Sequence, residues 1–307
     1  MARPTILFGT FNLEKDGFTP DGRGGGNFDR FYAAHEELSK YPFAALFRQE
    51  TSFSEQRGGF LRFEAERMLG MRSFIAPQAP QAPSDPSNPP AVFVNQDAFR
   101  VVGEWPQTRS WWQSPAAVTV RYGEALTTIQ LASVHLCYHS PEVRTVEARI
   151  MTTWQNQNQV LIAAGDFNSK SATAQEKTPG PDWPNTLDRT HQEHRTRDGV
   201  HDDTEPDQIL TRAGIDDVAL YAATHLSQDD ALEPTASMYP EVNLRQGPPQ
   251  RIDFLRFPRV LLPAVKSVKV VPLPEVSDHG LILVEVWADT FQERLYLHRD
   301  FDYRLPI

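Results

Sequence analysis

Residues 159–168 read Gln-Val-Leu-Ile-Ala-Ala-Gly-Asp-Phe-Asn. Val160 to Ala164 run without a polar break, which suits a strand buried on both faces. The run stops at Gly165 and gives way to Asp166 and Asn168. An acid and an amide at the end of a strand make either a turn or a site. The same form recurs on both sides of this stretch. Residues 5–13 alternate and are rich in β-formers, with Asn12 near their end. Residues 43–50 read as a second strand, closed by Glu50, and residues 127–136 as a third that carries His135. Arg251-Ile252-Asp253-Phe254 lies in a late strand over 251–257, and Ser277-Asp278-His279 precedes the last strand, 280–286.

Between these lie further strands at 91–94, 99–103, 116–122 and 265–271. Asp29 reads as the cap of a helix through 40, and a second helix follows Ser54 to about Gly70. Ser140-Pro141-Glu142 is a helix start: a cap, then a proline whose missing N–H costs nothing, then an acid at the positive end. That helix runs to about 156, and a short one spans 206–213 before Gly214. Residues 169–204 are polar and irregular, and 77–90, rich in Pro, Ala, Gln and Ser, read as a surface loop. Strands alternate with helices early and cluster in the middle and near the end. This order predicts an α/β fold of two packed mixed β-sheets flanked by helices, a four-layer sandwich. We expect one domain over 1–287 and a C-terminal extension over 288–307.

Of the 307 residues 40% are hydrophobic and 23% charged, ordinary for a globular chain. No apolar stretch approaches the roughly 20 residues of a membrane span. The N-terminus runs directly into a strand-like segment without a signal-peptide core, and one cysteine, Cys137, leaves no disulfide framework. Together these predict a cytoplasmic protein. A net charge of −10 argues against tight, nonspecific nucleic-acid binding, although a bound cation supplies positive charge locally.

Taken in order, Asn12, Gln49-Glu50, His135-Leu136, Gly165-Asp166-Phe167-Asn168, Arg251-Ile252-Asp253-Phe254 and Ser277-Asp278-His279 resemble the signature of the endonuclease/exonuclease/phosphatase superfamily. The resemblance covers about residues 5–286 and implies a metal-dependent phosphoesterase with the two-sheet sandwich fold. It implies Glu50 as principal ligand of Mg2+, or of Mn2+, with Asn12 and Asp278 in support. It implies that Asp166 orients or deprotonates the attacking water and that Asn168 holds substrate or that aspartate. His279, oriented by Asp253, and His135 would contact the phosphate. The residue types suit the reaction, because a hard cation with oxygen ligands neutralises a phosphate.

Three features depart from the pattern or add to it. Arg48 stands two residues before Glu50, where strand alternation sets it on the same face. It must pair with an acid or reach the substrate. Trp105–Trp112, with Arg109 inside it, either stacks on a base or anchors a loop. The stretch holding Arg189, Arg195 and Arg197 among histidines either grips phosphates or is a solvated loop balanced by Asp198, Asp202 and Asp203. No tetrahedral spacing calls for zinc. The expected partner is a phosphoester, nucleic acid first. The alternative is a small-molecule or lipid phosphate, and the third reading is an inactive binding module with the same fold.

Overall fold

Val160, Ile162 and Ala164 face one apolar core while Leu161 and Ala163 face another. Their strand is therefore buried on both sides, and its continuous apolar run follows from that. The computed structural model describes residues 3–77, 88–108, 110–173, 176–178, 180–186, 188–238 and 248–304. The elements, in order, begin with β1 (Thr5–Asn12), a hairpin of β2 (Thr19–Pro20) and β3 (Gly26–Asn27), α1 (Asp29–Leu38), β4 (Phe43–Gln49) and α2 (Phe60–Leu69). Next come β5 (Arg72–Ile75), β6 (Ala91–Val94), β7 (Arg100–Glu104), β8 (Ala116–Arg121), β9 (Thr128–His135), α3 (Pro141–Thr152) and β10 (Gln159–Asp166). The rest are α4 (Arg189–Arg195), α5 (Glu205–Arg212), β11 (Ile215–Asp217), α6 (Val218–Leu226), β12 (Asp253–Pro258), β13 (Val265–Val271), β14 (Leu281–Trp287) and α7 (Ala288–Leu297).

One sheet has the order β13-β14-β1-β4-β6-β5 and the other β11-β12-β10-β9-β8-β7. Both are mixed. β1 runs parallel to β4 and antiparallel to β14, and β10 runs parallel to β9 and antiparallel to β12. Phe8, Phe47 and Val92 meet Leu131, Ile162 and Phe257 between the sheets. Phe31, Leu38, Leu61 and Ala65 of α1 and α2 cover the outer face of the first sheet. Ala148, Met151, Ile209 and Leu210 of α3 and α5 cover the second. Three cores separate four layers, the architecture expected from the strand pattern. Among the described residues no helix is long and apolar enough to cross a membrane.

Several boundaries differ from the sequence reading. Asp29 is the first residue of α1 and not its cap; Asn27 Oδ1 accepts its N–H at 3.2 Å. A short 3-10 turn, Gln56–Gly58, delays α2 to Phe60. The polar segment after residue 169 contains a two-turn helix, α4, started by Asp188, whose carboxylate accepts the His191 N–H. β5, β11 and α6 went unread: the two strands are four and three residues long, too short for a period to show. α6 did carry a signal, the cap Asp217 before an apolar run. Residues 288–297 form α7, whose Phe291 and Leu295 are buried in the inter-sheet core. The loop expected at 77–90 falls mostly outside the described residues.

Candidate active site

Strand register assembles the first part of the site. Parallel pairing sets Asp166 beside His135, and antiparallel pairing sets Asp166 beside Asp253. Residues in register on adjacent strands share a face about 5 Å apart, so three polar side chains project together from one end of the second sheet. Gly165 makes the close approach possible. Its φ is +142°, and a Cβ there would lie 1.9 Å from the Val134 carbonyl oxygen. His135 Nε2 comes to 3.7 Å from Asp166 Oδ2.

The loop before β14 delivers His279. Ser277 Oγ accepts the His279 N–H at 3.1 Å and donates to the Asn12 carbonyl at 2.8 Å, tying this loop to the end of β1. His279 Nδ1 then meets Asp253 Oδ2 at 2.8 Å, which leaves Nε2 for the cleft. Burial alone would lower the His279 pKa. The Asp253 carboxylate and its hydrogen bond, with Asp166 and Asp278 beyond, override burial and push it up to about 10. Burial raises Asp253 in turn. Candidate ligand atoms of Asp166, Asp253 and His279 lie within 4.8 Å of one another.

The first sheet supplies the opposite wall. Glu50 follows β4 in a left-handed conformation, φ +59°, which turns its side chain into the cleft. Its Oε2 accepts the Lys15 N–H at 3.0 Å and Asn88 Nδ2 at 3.3 Å, and its Oε1 faces Asn12 Nδ2 at 3.4 Å. Asn12 Oδ1 accepts the Glu14 N–H, so Asn12 presents its amide to Glu50 and orients it. Asn168, at φ +50°, holds Asp166 Oδ1 with its N–H at 2.8 Å and donates Nδ2 to the Leu136 carbonyl. Arg195 of α4 donates to Asn168 Oδ1. Burial lowers Arg195 to about 10, with Asp166 and Asp253 pulling the other way. Glu50, Asn88, His135, Asp166, Asn168, Arg195 and His279 line a cleft of about 240 Å3.

No known family's sequence profile matches the chain, and no curated protein matches it. Solved structures do. A 3′ phosphatase from Neisseria bound to a product DNA hairpin is similar at TM-score 0.61 and 15% identity, covering 92% of this chain and 99% of that one. An AP endonuclease from Archaeoglobus fulgidus matches at TM-score 0.61 and 12% identity, covering 91% and 98%. An endonuclease/exonuclease/phosphatase family protein from Bacteroides thetaiotaomicron matches at 0.57 and 14%, covering 93% and 98%. The chain has the endonuclease/exonuclease/phosphatase fold.

Within the endonuclease/exonuclease/phosphatase fold, the remaining sequence candidates scatter. Arg48 does not line the cleft. It is fully buried, with Nη1 2.9 Å from His35 Nε2 of α1 and Nη2 3.5 Å from Asp16 Oδ1. Asp16 in turn donates its N–H to the Glu50 carbonyl, so Arg48 braces the loop behind Glu50. The positive φ of Glu50 breaks the alternation that set the two on one face. Asp278 acts on His279 through charge and is not a cleft wall. Arg189 bonds Gln192, and Arg197 bonds Asp203 and the Pro141 carbonyl; neither lines the cleft. Arg109 lies outside the described residues. Asn88 and Tyr138 line the cleft and were missed. Asn88 sits inside the proline-rich segment 77–90, which carries no pattern, and Tyr138 follows His135 by three residues, the one hint available. Arg251 of the Arg-Ile-Asp-Phe run is structural, pairing with Asp217 at 2.7 Å and Glu176 at 3.0 Å.

Proposed function

We propose that the chain is a divalent-metal-dependent phosphodiesterase that hydrolyses nucleic acid by in-line attack of water. One observation carries this: His279, bonded to the buried Asp253 at 2.8 Å, shares a cleft with Glu50, and Asp166 stands in register between Asp253 and His135. The donor set fits Mg2+ or Mn2+, being carboxylates and an amide, and the buried Asp253 Oδ1 has no hydrogen-bond partner among the described residues. Glu50, oriented by Asn12, would hold the cation, which when bound neutralises charge on the phosphate. Asp166, with Oδ1 held by Asn168, accepts the proton of the attacking water. His279 keeps its proton and presents Nε2–H to a phosphate oxygen, while His135 offers a second donor. The Neisseria 3′ phosphatase bound to product DNA supports nucleic acid as substrate. The net charge of −10 favours the second reading, a small phosphoester.

A panel of single-stranded DNA, plasmid, RNA, nucleotides, inositol phosphates and sphingomyelin, each with Mg2+, Mn2+ or chelator, tests both readings. Chelator should abolish turnover and either cation restore it, and Glu50→Gln should raise the cation concentration required. Full activity of that variant in excess chelator would overturn the metal assignment.

A further inference from the structure

Tyr138 forms part of the cleft wall and is 51% exposed. Its ring belongs to an aromatic cluster, with Trp112 at 6.2 Å, His139 at 5.0 Å and His194 at 5.8 Å between centroids. Trp112 rests on His139 at 4.2 Å and is itself 44% exposed. Its neighbour Trp111 has the other role expected of this stretch, packing at 5.4 Å on Trp154 over the α3 core. So one tryptophan anchors the segment and the next is presented to solvent.

The backbone beneath this cluster is held by two buried ionisable side chains of α3, Glu147 and Arg144. Glu147 accepts the Trp112 N–H and the Cys137 N–H, both at 2.9 Å. Arg144 donates to the Cys137 carbonyl at 2.8 Å and the His194 carbonyl at 2.9 Å, and pairs with Asp203 at 2.9 Å. Desolvating a carboxylate and a guanidinium is costly. Here both fix the segments that bear Trp112, Tyr138, His139 and His194. The half-exposed Tyr138 ring, with Trp112 set at 75° to it and both rigidly mounted near Arg195 and Asn168, offers one flat face with a side wall next to a phosphate-sized polar cleft.

We propose that Tyr138 is the stacking face, with Trp112 as its side wall, of a subsite for the nucleobase flanking the scissile phosphate of a single strand. The inference rests on the nucleic-acid reading above. Bases expose a planar face to a protein ring only where they leave the duplex stack, in single strands, loops and ends. An acyl chain has no such face, and a polyphosphorylated ring calls for more cations than Arg195 brings to the described cleft walls. The chain's acidity is no obstacle, since stacking needs no neutralised phosphates.

The test uses a short DNA strand with a mapped cleavage position and a set of the same strand with one base replaced by a tetrahydrofuran abasic residue, moved through the flanking positions. In the wild type, base removal at one position should lower kcat/KM about ten- to a hundredfold, the usual range for one stacked base. In Tyr138→Ala the same removal should cost less than about twofold, because the stacking partner is already gone, and Tyr138→Phe should restore the wild-type difference. If base removal costs wild type and Tyr138→Ala equally at every position while cleavage continues, the subsite is overturned and the nuclease reading stands. If the wild type cleaves no strand but turns over a small phosphodiester, both fall together.

Discussion

Asp253 and His279 are bonded through one atom of each, and the consequence is that neither can be judged alone. His279→Ala and Asp166→Asn should each cost about 10²-fold or more in rate, since charge stabilisation and proton transfer each contribute on that scale. Asp253→Asn should cost less, because it misdirects the imidazole without removing it. The Asp253→Asn/His279→Ala double variant should be little worse than His279→Ala, as expected of groups that act as a unit. Multiplicative losses in a steady-state cycle would show the pair to be independent. Glu147 is a second residue whose surroundings set its behaviour. Burial pushes its carboxyl up to about 7 from the ordinary 4.5, with the Cys137 and Trp112 N–H groups and Arg144 pulling back. The folded chain thus holds this proton more tightly than the unfolded chain. The stability it contributes is complete below pH 4.5 and is lost as pH rises through 7. Glu147→Gln should therefore show a flatter decline of Tm between about pH 5 and 7.5 than the wild type. Parallel declines would place the Glu147 titration outside that window.

Strands explain both what could be read in advance and what could not. β10 declares itself because a strand buried on two faces must be apolar throughout, and the polar residues at its end then stand out as Asp166 and Asn168. Asn12, Glu50 and His135 were legible for the same reason, each standing at or just beyond the end of an apolar strand, whereas Asp253, first residue of β12, was legible only through the Arg-Ile-Asp-Phe run. Arg48 pairs with an acid, one of its two expected roles, but its face was misread because alternation holds only while φ stays negative, and Glu50 at +59° ends it. Arg195 could be suspected but not placed, since an irregular polar segment separates it from Asn168 and α4 is too short to betray its face. Arg189 and Arg197, alike in sequence, point elsewhere for reasons only the tertiary contacts hold. At this scale the sharpest prediction concerns Gly165. Its Cβ would strike the Val134 carbonyl of β9 and approach Gln49 Nε2, the side chain that bonds Ser133 across the two sheets. Gly165→Ala should destabilise the fold by at least about 3 kcal/mol in denaturant unfolding, combining a positive φ with a backbone clash. A loss under 1 kcal/mol would mean that β9 and β10 part without penalty.

For the molecule as a whole, charge sets how the proposed single-strand substrate would be held. With a net charge of −10 and Arg195 as the arginine lining the described cleft, few phosphates can be neutralised at once. Single-strand affinity should fall with salt at a log–log slope of roughly −1 to −2, given about −0.7 per phosphate contact. Arg195→Ala should flatten that slope by about one contact, while Arg189→Ala leaves it unchanged. A slope steeper than about −4 would reveal a basic track that the cleft does not contain.

β1 finds its neighbour in β14, and Ser277 reaches Asn12 across 265 residues of chain. The two walls of the cleft are thus written at opposite ends of the message. During synthesis a growing polypeptide carries Glu50, His135 and Asp166 long before His279 exists, and the sheet that would bring Asn12 to the Ser277 loop cannot close until β14 has left the ribosome. The cleft is therefore completed in one late step, and a chain interrupted before β14 lacks the strand that pairs with β1.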